Sequence, residues 1–335
     1  MSISFQILGE IGRDNAAYVT VDSGSAVYRL LFDCGDCLQA LGRAEVQDID
    51  YLLFSHLHMD HVAGFDRFFR ANYARADKPG MIWGPPATAT IMHHRFRGFL
   101  WNLIGGAPGV WYVHDVSPAE ITRWRFRTGE AFASAHPAGV APFTGTVFAN
   151  PAFTIEALHM EHRTPTLAYM LRERPRLHID TARLQALALP PGAWLRQLKE
   201  PQPDEPPTLE IAGQIHELAT LRAELLAETA GESLAYLTDF LLDDAARARL
   251  VPFLCGCDTL ICESQYRHAD LPLALQNYHM TATQVATLAR EAGVGKLILF
   301  HVSERYRAPE YRAMLNEARA IFPNTFFPEH WQIDD

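Results

Sequence analysis

Short apolar runs divided by small and polar residues dominate the first third of the chain. Ile3–Leu8, Tyr18–Val21 and Val27–Asp33 are rich in β-branched and aromatic residues, with Gly, Asp and Ser between them, which predicts three strands with tight connections. Tyr51–Ser55 (YLLFS) is almost wholly apolar, as a strand buried on both faces should be. Phe65, Phe68 and Phe69 recur at helical spacing and predict a helix over 62–73. Met81–Trp83 reads as a strand closed by Gly84-Pro85-Pro86, and 88–103 as a helix. Strand patterns return at 121–127, 146–149, 153–158 and 167–172. The last third alternates strands (234–238, 259–263, 296–301) with helices (282–292, 310–321). Strands first and β/α alternation afterwards predict two sheets with helices packed outside them.

Residues 172–232 break this pattern. PPGAW stands at 190–194 and PQPDEPP at 201–207, and four prolines in seven residues cannot lie inside a sheet or a helix. The segment is also polarised. Residues 172–200 hold six basic and three acidic side chains, whereas 201–232 hold one and seven. It reads as an insertion, residues 172–232, between two parts of one domain, 1–171 and 233–335. Its polarity suits an arm that reaches away from the body.

Composition narrows the class. With 335 residues and 48% hydrophobic positions, the chain can bury a full-sized core and is not disordered. No stretch approaches the roughly 18 apolar residues of a membrane span, so no membrane partner is expected. A net charge of −10 excludes a protein that coats nucleic acid by overall charge, and leaves room for a local basic patch. Five cysteines imply no disulfide framework and fit a reducing cytoplasm.

Histidine is the informative residue: there are 15. His56-Leu57-His58-Met59-Asp60-His61 directly follows the YLLFS strand. In extended chain, residues two apart point the same way, so His56 and His58 can converge on one ion. Asp60 and His61, at the turn into the next helix, can present a second pair. Four metal-type side chains in six residues have no packing reason to coexist, and they demand further ligands downstream. Asp239 ends the apolar run LAYLT, and His301 ends LILF. His162 lies between two predicted strands, with His159 three residues before it as a rival.

The hexapeptide, with Asp239 and His301, resembles the metallo-β-lactamase superfamily of binuclear hydrolases. Further stretches resemble the ribonuclease Z family of tRNA 3′-processing endoribonucleases: LFDCGD at 31–36, IWGPP at 82–86, HRTPTLAY at 162–169, YLTD at 236–239, ES at 263–264, HMTATQVA at 279–286 and HVSERY at 301–306. LPPGAWLRQLK at 189–199 is similar to that family's exosite arm. Where the family usually has Gly, this chain has Met59, and where it has His before the Glu at 263, this chain has Cys262.

The resemblance implies a four-layer αβ/βα sandwich with a protruding exosite-like arm. It implies two Zn²⁺ ions, with Mn²⁺ or Fe²⁺ as alternatives. One ion takes His56, His58, His162 and a bridging Asp239, and the other Asp60, His61, Asp239 and His301. It places Asp60, Glu263 and His279 in catalysis, and Ser303, Arg305 and Tyr306 at the substrate. The expected function is removal of 3′ trailers from tRNA precursors by a homodimer. The alternative is a phosphodiesterase acting on small or cyclic nucleotides or other diesters. The intact ligand set argues against a non-hydrolytic RNA-binding module.

Overall fold

Eight strands pair in sequence order to form the first sheet: Ile3–Leu8, Ala16–Asp22, Val27–Phe32, Tyr51–Leu53, Gly80–Gly84, Val110–Val116, Glu120–Arg127 and His136–Pro142. Its middle four strands are parallel and its flanks antiparallel. The computed structural model describes residues 2–333. In the second sheet the order is Thr325–Phe326, Lys296–Phe300, Thr259–Glu263, Ser233–Leu237, Pro165–Glu173, Phe153–Glu161 and Thr146–Ala149. The first four of these are parallel, as the β/α alternation of the last third requires.

The period of two sorts each central strand between two cores. Leu30, Phe32, Leu53 and Trp83 point into a core shared with Tyr169, Tyr236 and Ile261 of the second sheet. Leu31, Leu52, Phe54 and Ile82 point the other way, onto the helices Arg43–Asp48, Phe65–Asn72 and Thr88–Phe96. Phe32 joins the sheets, with its ring centroid 5.3 Å from Tyr236 and 5.6 Å from Tyr169. Truncating such a fully buried ring to Ala costs about 3–5 kcal/mol. The helices Asp244–Leu254, Ala282–Ala292 and Ala308–Arg319 contribute Leu250, Val285 and Met314 to the core on the second sheet's side. The layers are helix, sheet, sheet, helix, the expected αβ/βα sandwich.

Three local expectations change. The helix expected over 62–73 is two helices, Met59–Val62 and Phe65–Asn72, broken at Gly64. A Cβ on Gly64 would lie 2.2 Å from the Gly35 carbonyl oxygen, so the break brings the two loops into contact. The helix expected to run to residue 103 stops at Phe96, whose carbonyl accepts the Trp101 indole N–H at 2.9 Å. His136–Pro142 carries no strand pattern in sequence. It is the last strand of its sheet, where Pro137 and Pro142 are tolerated.

Residues 173–231 form a compact unit of their own. Two small antiparallel sheets, Arg176–Ile179 with Leu226–Thr229 and Thr208–Ile211 with Gln214–Glu217, accompany three short helices. Leu184, Leu198, Ile211, Leu218, Leu221 and Leu225 make its core. The prolines at 190–191 and 201–207 fall in its connections.

Candidate active site

Functional side chains gather where strands end. His56 follows Tyr51–Leu53 by three residues, Asp33 follows Val27–Phe32, Asp239 lies two past Ser233–Leu237, and His301 follows Lys296–Phe300. Asp33, Asp239 and His301 have left-handed backbones, with φ of 60°, 52° and 51°. That conformation costs an L-residue roughly 1–2 kcal/mol, and Asp and His adopt it more readily than most. It turns the chain off the sheet at once and leaves three polar side chains on one rim.

The donor atoms of His56, His58 and His162 lie within 4.8 Å of one another, and so do those of Asp60, His61, Asp239 and His301. The Asp239 carboxylate is where the two sets meet. Its Oδ2 is 3.3 Å from His61 Nε2 and 3.8 Å from the Nε2 atoms of His56 and His162, and its Oδ1 is 3.3 Å from His301 Nδ1. Asp60 Oδ2 is 3.4 Å from Nε2 of both His61 and His301. The outer ring nitrogens are committed elsewhere. His61 Nδ1 donates to Asp33 at 2.8 Å, His162 Nδ1 donates to the Tyr278 carbonyl at 2.8 Å, and His56 Nδ1 is 3.1 Å from Ser55 Oγ. Each of those contacts fixes which nitrogen faces inward. His56 Nε2, His61 Nε2 and His301 Nδ1 are buried and have no hydrogen-bond partner among the described residues. Such orphaned buried nitrogens are costly, and a metal would satisfy them. Five imidazoles and two carboxylates, meeting at the Asp239 carboxylate, fit divalent metal ions.

The charges are arranged accordingly. Burial pushes His56 down to about 2 and also lowers His162, so both present neutral rings, the form that binds metal. Burial also opposes charge on His61 and His301, but facing carboxylates, led by Asp33 for His61 and Asp239 for His301, raise both. Burial works against the charged form of Asp60 and Asp239 too, and the same imidazoles hold both carboxyls well below the usual range.

Beside this cluster sits a second pair. His279 Nδ1 is 2.9 Å from Glu263 Oε2, and the His279 ring is 4.8 Å from that of His162 and 6.1 Å from that of His301. Burial disfavours the imidazolium, yet Glu263 overcomes this and lifts His279 to about 9. Glu263 is itself fully buried at the end of Thr259–Glu263. A cavity of about 890 Å³ opens on Asp60, with Met59, Arg13 and Asp14 in its wall.

His159 is not in the cluster. Its ring packs edge-on to Phe143 at 5.5 Å. Arg305 is exposed, over the Tyr266 ring at 5.5 Å, and Tyr266 in turn is 5.9 Å from the His279 ring. Ser303 is half-buried, its N–H on the Gln265 carbonyl. Tyr306, expected at the substrate, is 3% exposed, and its hydroxyl is held by Asp270 and the Arg267 N–H. Sequence reasoning gave Asp33 no role, although an acid ending an apolar strand is the signal that singled out Asp239.

A family model described as anti-Pycsar protein Apyc1 matches residues 18–179, a stretch that includes His56–His61 and His162 but stops before Asp239, Glu263, His279 and His301. Among solved structures, the metallo-β-lactamase fold protein YhfI from Bacillus subtilis superposes with a TM-score of 0.55 at 16% identity, covering 97% of this chain and 95% of its own. Human tRNase Z, short form, gives 0.53 at 16% identity, covering 91% and 94%. These likenesses show the fold. The ribonuclease Z of Deinococcus radiodurans is 48% identical over 330 residues, covering 98% of both chains. A relative of that identity along the whole chain settles the assignment: the protein belongs to the ribonuclease Z family of metal-dependent hydrolases.

Proposed function

We propose that the chain is an endoribonuclease that removes 3′ trailers from tRNA precursors, leaving a 3′-hydroxyl on the tRNA and a 5′-phosphate on the trailer. The observation that carries this is the buried Glu263–His279 pair beside the seven-residue metal cluster. A hydrolase needs a proton for its leaving oxygen, and here a positioned imidazolium is set next to the metal ligands.

Two zinc ions, one on His56, His58, His162 and Asp239 and the other on Asp60, His61, Asp239 and His301, supply an acidified water and positive charge for the phosphoryl oxygens when bound. The remaining work belongs to the chain. His279 keeps both ring nitrogens protonated, because Glu263 accepts from Nδ1 and stabilises the charge. Nε2–H is then free to protonate the departing 3′-oxygen as its bond to phosphorus breaks. Asp60, ionised and half-exposed at the cavity mouth, accepts a hydrogen bond from the attacking water and orients it. Arg305 and Ser303, on the loop after His301, hold the substrate backbone.

The unit 173–231 serves as the arm that grips the folded RNA away from the scissile bond. The protein acts as a cytoplasmic homodimer, and the exposed Phe99, Leu100 and Leu103 after the helix Thr88–Phe96 offer apolar surface for a second copy. Cleavage of a 3′-extended pre-tRNA measured beside a small aryl phosphodiester tests the reading. Efficient turnover of the RNA supports it, and turnover of the small diester alone overturns it in favour of a small-diester phosphodiesterase.

A further inference from the structure

The helices Arg43–Asp48 and Phe65–Asn72 pack side by side, and two adjoining cavities lie along their outer surface. The first, about 430 Å³, is lined by Arg43, Arg67 and Arg70 over a floor of Val46, Ala71 and Tyr73. The second, about 500 Å³, shares Arg43, Arg70, Ala71 and Tyr73 and continues to Arg75. Arg67 and Arg70 stand three residues apart, and Tyr73 follows at the same spacing, so the three share one face.

These arginines differ from their neighbours. The Arg75 guanidinium is consumed by the carbonyls of Gln47, Ile49, Lys78 and Pro79. Arg95 pairs with Asp66 at 3.6 Å, and Arg29 with Asp48 at 3.9 Å. The side chains of Arg43, Arg67 and Arg70 are exposed and have no hydrogen-bond, ion-pair or ring partner among the described residues. The local carboxylates are mostly committed: Asp66 and Asp48 as above, and Glu45 to the Gly42 N–H at 2.7 Å. Asp77, in the second cavity, acts on Arg75. In a chain with 39 acidic and 29 basic side chains, three unspent guanidiniums around one trough are a concentrated positive site. Arginine's planar fork matches phosphate oxygens.

We propose that this trough, which shares no lining residue with the metal cluster, binds the sugar–phosphate backbone of the RNA substrate. The inference rests on the endoribonuclease reading. Arg67 comes six residues after His61, on the helix that follows the ligand-bearing turn. Two cavities with shared arginines are longer than a single phosphate requires, which favours a polyanion over a mononucleotide.

The test is equilibrium binding of the metal-loaded protein to a 3′-extended pre-tRNA whose scissile linkage is blocked, followed by fluorescence anisotropy between 50 and 200 mM salt. Arg43→Gln, Arg67→Gln and Arg70→Gln combined should weaken binding by about ten-fold or more. They should also lower the slope of log K against log salt by about two to three, because each phosphate contact contributes close to one. The matching triple Arg→Lys variant should keep most of the slope, and turnover of a small aryl phosphodiester reports whether the metal centre is intact. Wild-type affinity and slope in the triple Gln variant overturn the proposal, as does an equal loss in the Lys variant or a parallel loss on the small diester. Cleavage of the unblocked RNA by the wild-type protein is scored separately and tests the endoribonuclease reading by itself.

Discussion

The Tyr236 hydroxyl donates to the Asp33 carboxylate at 2.8 Å, joining residues 203 positions apart and tying the second sheet to the first. The same carboxylate accepts from Ser55 N–H and Ser55 Oγ, both at 2.7 Å, and from His61 Nδ1 at 2.8 Å. One fully buried acid therefore holds the two sheets in register and aims a metal-facing imidazole. Asp33→Asn loses the charge that orients His61 while nearly keeping the side chain's shape. Metal affinity should fall about 10- to 100-fold, the usual effect of removing such a supporting carboxylate. Competition with a chelator measures it, and wild-type affinity in the variant would show that Asp33 serves the sheets alone.

His279→Ala should separate proton donation from metal binding. We expect about two metal equivalents per chain to remain and turnover to fall on the order of 10²-fold or more. Elemental analysis beside single-turnover kinetics decides it. Loss of a metal equivalent would make His279 a ligand, an outcome its place near Asp239 and His301 makes worth checking.

The arm prediction follows from the way its unit is closed. Glu173 and Gly231 come together at its base, where a Cβ on Gly231 would lie 2.1 Å from the Glu173 carbonyl oxygen. Residues 174–230, between these two, can therefore be replaced by a short Gly/Ser linker, whereas removing 175–207 alone would split the unit's leucine core. Deleting the unit should cripple pre-tRNA cleavage and leave small-diester hydrolysis nearly unchanged, since remote grip acts on the large substrate only. Equal loss on both substrates would mean that the unit supports the fold.

Stability should fall in mild acid through His114. Its ring stacks on Trp83 at 4.3 Å, its Nδ1–H donates to the Ile82 carbonyl at 2.9 Å, and burial lowers it to about 4. Between that value and the unfolded value near 6.5, the unfolded chain binds more protons, so stability drops as pH falls through this window. The full effect is about 3 kcal/mol, and it vanishes above pH 6.5, where the ring is neutral in both states. Denaturant unfolding of wild type and His114→Gln at pH 7.5 and 5.0 should show a smaller pH effect in the variant. The same pH dependence in both proteins would assign the acid sensitivity to other groups.

Local sequence determined a good deal. The period-two sorting of Leu30, Leu31 and Phe32 fixes a strand buried on both faces, and His56–His61 after an apolar strand marks a metal site by side-chain chemistry alone. Asp239 and His301 are legible for the same reason, a polar group where an apolar strand stops. Other features depend on partners distant in the chain. Gly64 breaks a helix because the Gly35 carbonyl comes against it, and nothing near residue 64 announces that. HRTPTLAY selects His162 over His159 by resemblance, but what turns the His162 ring into the cluster, the Tyr278 carbonyl and the Asp239 carboxylate, lies far along the chain. Asp33 gains its role from Tyr236 and His61, which reach it only when the two sheets pack. The arginines of the trough are scattered through two helices and become one charged surface when those helices lie side by side. Backbone periodicity and residue type act within a few positions, so sequence can state them. Convergence of side chains from separate strands and helices is set by packing, and the folded chain alone brings it about.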